Sequence, residues 1–150
     1  MELSYKSFLD FRIGDRNIQS KTITETDVVL FSGLTGDFNP IHLDEEYAKT
    51  THFGTRLVQG MLVASLVGAA AAPLCGNACI NMGQSFTLPA PARIGDTLTA
   101  VVEIAEKHPE SHELLLSLTV TRQDGKTVLK GTNTVRIMDR KRREIGCECH

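Results

Sequence analysis

Tryptophan is absent from this 150-residue chain, and aromatic residues make up only 5% of it. A core built from such a sequence must be mostly aliphatic. Neither sign of charge is in excess: 16 Lys and Arg stand against 18 Asp and Glu, a formal net charge of −2. With an isoelectric point near 6.2, nothing in that balance points to nucleic acid as a partner. No apolar run is suited to a bilayer. The longest, Met61 to Leu74, is short and rich in Gly and Ala, so no membrane span is expected. The first residues lack a basic start followed by an apolar stretch, and no secretion signal is expected. Cys75, Cys79, Cys147 and Cys149 are therefore read as reduced thiols of a cytoplasmic protein. Zinc-type spacings are missing as well. Cys147-Glu148-Cys149-His150 is a weak ligand pattern at a chain end, and no metal site is expected from it. Internal repeats and linkers are lacking, so residues 1–150 are read as one domain with a sizeable core.

What the chain does have is a clear change of period. Ile18 to Thr22 alternates as a strand does. Thr24 followed by Asp27 marks a helix start, with Val28 to Phe31 inside and an end near Gly33 or Gly36. Asn39-Pro40 breaks the chain, and Asp44 caps a short helix over Glu45 to Thr50. The run Gly60 to Leu74 has helical composition and is apolar nearly all round, which implies burial on every side, with Pro73 and Gly76 ending it. Beyond it the period becomes two. Met82–Leu88, Thr97–Ala105, Glu113–Arg122 and Val128–Met138 read as strands, joined by turns at Pro89–Gly95, Lys107–Ser111 and Asp124-Gly125. One early strand, four late ones and a helix without a polar face fit an α+β fold in which an antiparallel sheet curls around the helix, the hot-dog arrangement. Such a sheet leaves open edges, so a homodimer or larger homo-oligomer is expected.

Chemistry concentrates in Phe31 to Ala48, where Asp37 and His42 flank Asn39-Pro40. A carboxylate and an imidazole joined by a tight turn can hold one water and move its protons. Downstream, Gly60 opens the apolar helix. A helix start offers free N–H groups, and glycine lets a ligand approach them closely. An acid–base pair beside backbone donors points to chemistry on a carbonyl compound. Asp37 alone could brace the Asn-Pro turn, and His42 alone could be an ordinary helix-start residue. The pair together with Gly60 favours catalysis.

The string Gly36-Asp37-Phe38-Asn39-Pro40-Ile41-His42, then Ala48, then Gly60-Met61-Leu62, resembles the MaoC-like family of hot-dog hydratases and dehydratases, which includes the (R)-specific enoyl-CoA hydratases. Pro91 to Leu98 is similar to that family's strand-opening turn. The resemblance implies that Asp37 and His42 are the catalytic pair and that Gly60 offers its N–H to a thioester oxygen. It implies that Asn39 holds the loop, and that Asn39, Gln59 and Met61 border the substrate. The implied reaction is reversible addition of water to a trans-2-enoyl thioester, with acyl-CoA or another acyl thioester as substrate and no metal or organic cofactor.

Two positions depart from the family pattern. Many members carry His where this chain has Gln59, and some carry a hydroxyl residue where it has Gly68. Gln exchanges hydrogen bonds but does not titrate. Ala64 and Gly68 are small enough to leave room for an acyl chain, though close packing explains them equally. The basic stretch Arg140-Lys141-Arg142-Arg143 reads as a solvated tail, with attraction for CoA phosphates as the alternative. A thioesterase and a non-catalytic acyl-CoA-binding module are the competing functions on the same fold.

Overall fold

The structure is a computed structural model that describes residues 6–76 and 79–138. The basic stretch at 140–143 and the Cys147, Cys149 and His150 group lie outside the described residues. A 3₁₀ turn at Phe8–Asp10 leads to β1 (Arg16–Thr22), α1 (Glu25–Thr35), α2 (Pro40–Leu43), α3 (Glu45–Lys49) and α4 (Gly60–Cys75). Then come β2 (Cys79–Thr87), β3 (Thr97–His108), β4 (Glu113–Arg122) and β5 (Thr127–Ile137). All five strands form one antiparallel sheet in the order β1-β3-β4-β5-β2. The sheet packs on α4, as a hot-dog fold requires.

The core follows from the alternation. Leu98, Ala100, Val102 and Ile104 of β3 face inward, as do Leu114, Leu116, Leu118 and Val120 of β4. They meet Leu62, Val63, Leu66, Val67, Ala70 and Leu74 of α4 in one cluster. Each of the Val, Leu and Ile side chains among them contributes roughly 1.5–3 kcal/mol on burial, which is how an almost wholly aliphatic core holds the sheet to the helix. Phe8 and Phe11 belong to the same cluster.

Several boundaries differ from the sequence expectation. Burial of α4 on every side does not hold within one chain. Met61, Ser65, Gly68 and Ala69 form an exposed strip at i, i+4, i+7 and i+8, because a single sheet covers only one side of a helix. Pro73 does not end α4, which continues to Cys75. A proline removes one N–H, and so close to the helix end that loss leaves the remaining turn in place, with Gly76 N–H donating to Ala72 O. The turn expected from Lys107 is shorter, since Lys107 and His108 pair with Leu114 and Glu113 after an irregularity between Ile104 and Glu106. β2 starts earlier than Met82, at Cys79, where it pairs with Ile137. Among the described residues no helix is long and apolar enough to cross a membrane.

Candidate active site

The loop that carries Asp37 is built by capping. Thr24 and Asp27 form a reciprocal capping box at the start of α1. At its end Gly36 adopts φ 77°, a left-handed conformation that glycine reaches without a Cβ penalty, and its N–H donates to Ser32 O at 2.8 Å. The chain thus turns sharply into Asp37. The Asp37 Oδ1 accepts from Asn39 N–H at 3.2 Å, and Asn39 Oδ1 accepts from Ile41 N–H at 3.2 Å. Asn39 is the N-cap of α2 and Pro40 is its first residue, the position where a missing N–H costs nothing. His42 therefore sits on a short, well-capped helix.

One carboxylate oxygen is occupied by the loop, and the other faces the imidazole. Asp37 Oδ2 lies 3.7 Å from His42 Nε2. That gap is too long for a direct hydrogen bond, and an oxygen about 2.8 Å from both atoms fits it. The other ring nitrogen, His42 Nδ1, is 2.8 Å from Leu57 O. A carbonyl only accepts, so Nδ1 carries a proton, and the neutral tautomer this selects presents the Nε2 lone pair toward Asp37. The His42 side chain is 12% exposed and that of Asp37 44%, so the pair spans the boundary between interior and solvent.

The segment before α4 ties this pair to the helix start. Leu57 N–H donates to Ile41 O at 3.0 Å, and Val58 N–H to Ala92 O at 2.9 Å. Gly60 follows as the first residue of α4, without an intrahelical acceptor for its N–H and without a side-chain cap from Gln59. His42 and Gly60 line one cavity of about 400 Å³, whose other walls include Phe53, Val58, Val63, Leu88, Ala92 and Val128. Leu88 lies directly over Gly60: a Cβ there would meet Leu88 Cδ1 at 2.5 Å.

The two remaining sequence candidates sit elsewhere. Gln59 is 1% exposed, and its Nε2 donates to Val28 O at 3.0 Å and Ser32 Oγ at 2.9 Å. Its amide thus clamps the start of α4 to α1 and is turned away from the His42 cavity. Met61 is 61% exposed and borders a separate depression with Phe31, Ala64, Ser65, Gly68 and Gln84.

Three groups escaped the sequence reading. The Leu57 carbonyl and the Leu88 side chain carry no sequence signal, since their roles depend on what packs against them. Arg56 joins Glu25 of α1 and Glu45 of α3, bracing the loop region from both sides. Its guanidinium holds the Glu25 carboxyl below the ordinary value. A depressed carboxylate stabilises the fold above its unfolded titration range, and that contribution fades as pH falls through the folded value.

The chain has relatives among known proteins. The family described as MaoC like domain matches residues 14–124. The chain is 41% identical over 131 residues to an (R)-specific enoyl-CoA hydratase of Rhodospirillum rubrum, covering 87% of this chain and 90% of that one. It is 39% identical over 137 residues to a 3-hydroxybutyryl-CoA dehydratase of Methylorubrum extorquens, covering 91% and 87%. An unliganded R-hydratase structure from Pseudomonas aeruginosa superimposes with a TM-score of 0.83 at 34% identity, over 89% of this chain and 86% of that one.

Proposed function

The chain belongs to the MaoC-like domain family, and from that premise we propose that it is a hydro-lyase that reversibly hydrates trans-2-enoyl-CoA to 3-hydroxyacyl-CoA. The observation that carries the reading is the meeting of three groups: Asp37 Oδ2 and His42 Nε2 are 3.7 Å apart, and His42 shares a cavity with Gly60. A water between the two acceptors donates one hydrogen to each and turns a lone pair outward toward C3 of the substrate. As the C3–O bond forms, electrons move from the double bond to the thioester oxygen and the water's proton passes to the acid–base pair. That pair returns a proton to C2 and the thioester reforms. OH and H are thereby added on one face.

The enolate oxygen is the high-energy feature, and the Gly60 N–H is the donor for it. Removing one donor of this kind costs about 3–4 kcal/mol of transition-state stabilisation. Leu57 O sets which nitrogen of His42 faces the water, and Asn39 N–H aims Asp37. Residues 1–150 act as one domain in this reading.

Crotonyl-CoA separates the possibilities. Hydration removes the absorbance of the conjugated double bond without releasing thiol. Release of free CoA would identify a thioesterase, and no change with saturable binding would identify a binding module; either outcome removes the proposal.

Gly60→Ala is expected to fold and to work poorly. The clash falls on the free end of Leu88, a side chain that is 45% exposed and able to move, so unfolding free energy should change by less than about 1 kcal/mol. The added methyl and the displaced leucine crowd the donor, and kcat/KM should drop on the order of 10-fold, about 1.4 kcal/mol. Unchanged kinetics would take the Gly60 N–H out of the mechanism.

A homodimer completes the reading. β2 is the last strand of the sheet, and its Ile80 and Met82 are each 47% exposed, while α4 keeps its open strip. A second copy covers both. Sedimentation at micromolar concentration should show twice the 16.4 kDa chain mass; a single-chain species alone would contradict it.

A further inference from the structure

We infer that Arg56 is a positioning residue for the hydration site: its guanidinium joins α1 to the α2–α3 turn and so sets the separation of Asp37 and His42. The inference rests on the hydration reading. Arg56 is not among the walls of the cavity that His42 and Gly60 line. It lies in the segment that leads into α4, with its side chain 18% exposed. Nη1 and Nη2 donate to the two carboxylate oxygens of Glu25, the first residue of α1, Nη1 at 2.9 Å. Nη1 also reaches Leu43 O, at the last residue of α2, at 3.5 Å. Nε lies 3.5 Å from Oε2 of Glu45, the first residue of α3. That oxygen accepts from Arg56 N–H at 3.3 Å and from Thr55 Oγ1 at 3.2 Å. One planar group therefore meets three helices.

That placement bears on both members of the acid–base pair. α2 has four residues, a single turn too short to hold itself in place. Its position comes from bonds to the segment beside it. Leu57, next after Arg56, donates to Ile41 O at 3.0 Å and accepts from His42 Nδ1 at 2.8 Å. Arg56 fastens the far end of the same turn. Asp37 comes from the other helix, since α1 ends at Thr35 and the chain passes directly into the loop that opens α2. Glu25 is at the opposite end of α1, about 16 Å away along the helix axis. α1 and α2 are thus joined by the chain at one end and by Arg56 at the other, which fixes the angle between them. The Gln59 amide bonds to α1 alone, through Val28 O and Ser32 Oγ.

The arrangement contributes alignment more than stability. Both carboxylates open to solvent, with side chains 54% exposed at Glu25 and 42% at Glu45. Ion pairs of that kind add little to global stability. A forked Arg–carboxylate pair nevertheless fixes direction as well as distance. Lysine offers one point charge and cannot fork onto Glu25 while it faces Glu45. A water shared by Asp37 Oδ2 and His42 Nε2 must reach both atoms across 3.7 Å. A displacement of about 1 Å in a reacting group costs on the order of 10²-fold in rate.

The test compares Arg56→Met, Arg56→Lys and Glu25→Ala with the parent chain, each checked by circular dichroism. NMR of full-length protein carrying isotope-labelled histidine reads the His42 ring at a pH where it is neutral. Its signals are assigned by their loss in His42→Ala. The parent should hold the single tautomer with the proton on Nδ1. Arg56→Met should fold and show the two ring nitrogens moving toward a tautomer average. Its kcat on crotonyl-CoA should fall roughly 10–100-fold, with KM within about threefold of the parent. Glu25→Ala frees α1 alone, so it should keep the His42 tautomer and still lose kcat. Arg56→Lys should recover only part of the loss. If Arg56→Met does not fold, Arg56→Lys and Glu25→Ala carry the same comparison. A folded Arg56→Met with the parent tautomer and the parent kcat would overturn the inference. So would a rise in KM with kcat unchanged, which would make Arg56 a contact for the CoA phosphates, or full recovery in Arg56→Lys, which would leave charge alone as the cause. The ring signals report on Arg56 whether or not crotonyl-CoA is hydrated, so failure of this inference is distinct from failure of the catalytic reading.

Discussion

Asp37→Asn is expected to lower hydration turnover by roughly 10²–10⁴-fold while leaving the fold intact, because general acid–base groups contribute on that scale. The substitution keeps the acceptor that Asn39 N–H uses, at 3.2 Å, and replaces the oxygen facing His42 by a group that cannot take a proton. His42→Ala should cost as much. It removes the second acceptor and frees Leu57 O, whose partner at 2.8 Å is lost. If the two groups hold one water, they act as a unit, and the double variant should be little worse than either single one. Gln59→Ala provides the contrast. Its amide donors serve Val28 O and Ser32 Oγ inside the protein, so its removal should cost about 1–3 kcal/mol of stability and affect turnover far less. Crotonyl-CoA kinetics on variants checked by circular dichroism decide the matter. Near-normal turnover in Asp37→Asn or His42→Ala would remove the mechanism.

Gly131→Ala should be the most damaging small substitution in the sheet. Gly131 pairs with Phe86 on one side and Leu118 on the other. A Cβ there would lie 2.1 Å from Ser85 O and 2.6 Å from Phe86 Cα. These are backbone atoms, so no side chain can swing aside, and relief requires β2 to separate from β5. The expected loss is about 3 kcal/mol or more, beyond ordinary overpacking. If a second copy docks on the β2 edge, as proposed, dimerisation should weaken with it. Gly33→Ala is the matched control. It sits in α1 with nothing within 4 Å of an added Cβ, and helix propensity predicts a gain of about 0.5–1 kcal/mol. Urea unfolding of both variants measures the difference; equal midpoints would show that the β2–β5 contact tolerates a side chain.

Much of the architecture was legible because its signals are local. Alternation of Leu114, Leu116, Leu118 and Val120 needs only a period of two to declare a half-buried strand. Thr24 with Asp27, and Asn39 with Pro40, are capping patterns whose partners lie within three residues. The Asp-x-Asn-Pro-x-His spacing likewise predicts a turn that brings Asp37 near His42, since five residues and a proline leave few ways to arrange them. Strand ends were less legible. β2 starts at Cys79 and β3 runs to His108 because pairing with Ile137 and Glu113 extends them, and pairing partners are distant in sequence.

The sequence by itself determined the five strands, α1, α3 and the apolar helix α4, and the loop that carries a carboxylate and an imidazole, but not the short helix Pro40–Leu43 on which His42 sits. Those are consequences of period, capping and turn chemistry, which act over a few residues. Only the tertiary structure decided that Leu57 O fixes the tautomer of His42, that Gln59 faces α1 rather than the cavity, and that Met61 points outward. It alone set Leu88 over Gly60, and it left one strip of α4 exposed. Each of these depends on which segment arrives from far along the chain to fill the space beside a side chain, and a one-dimensional pattern holds no record of that neighbour.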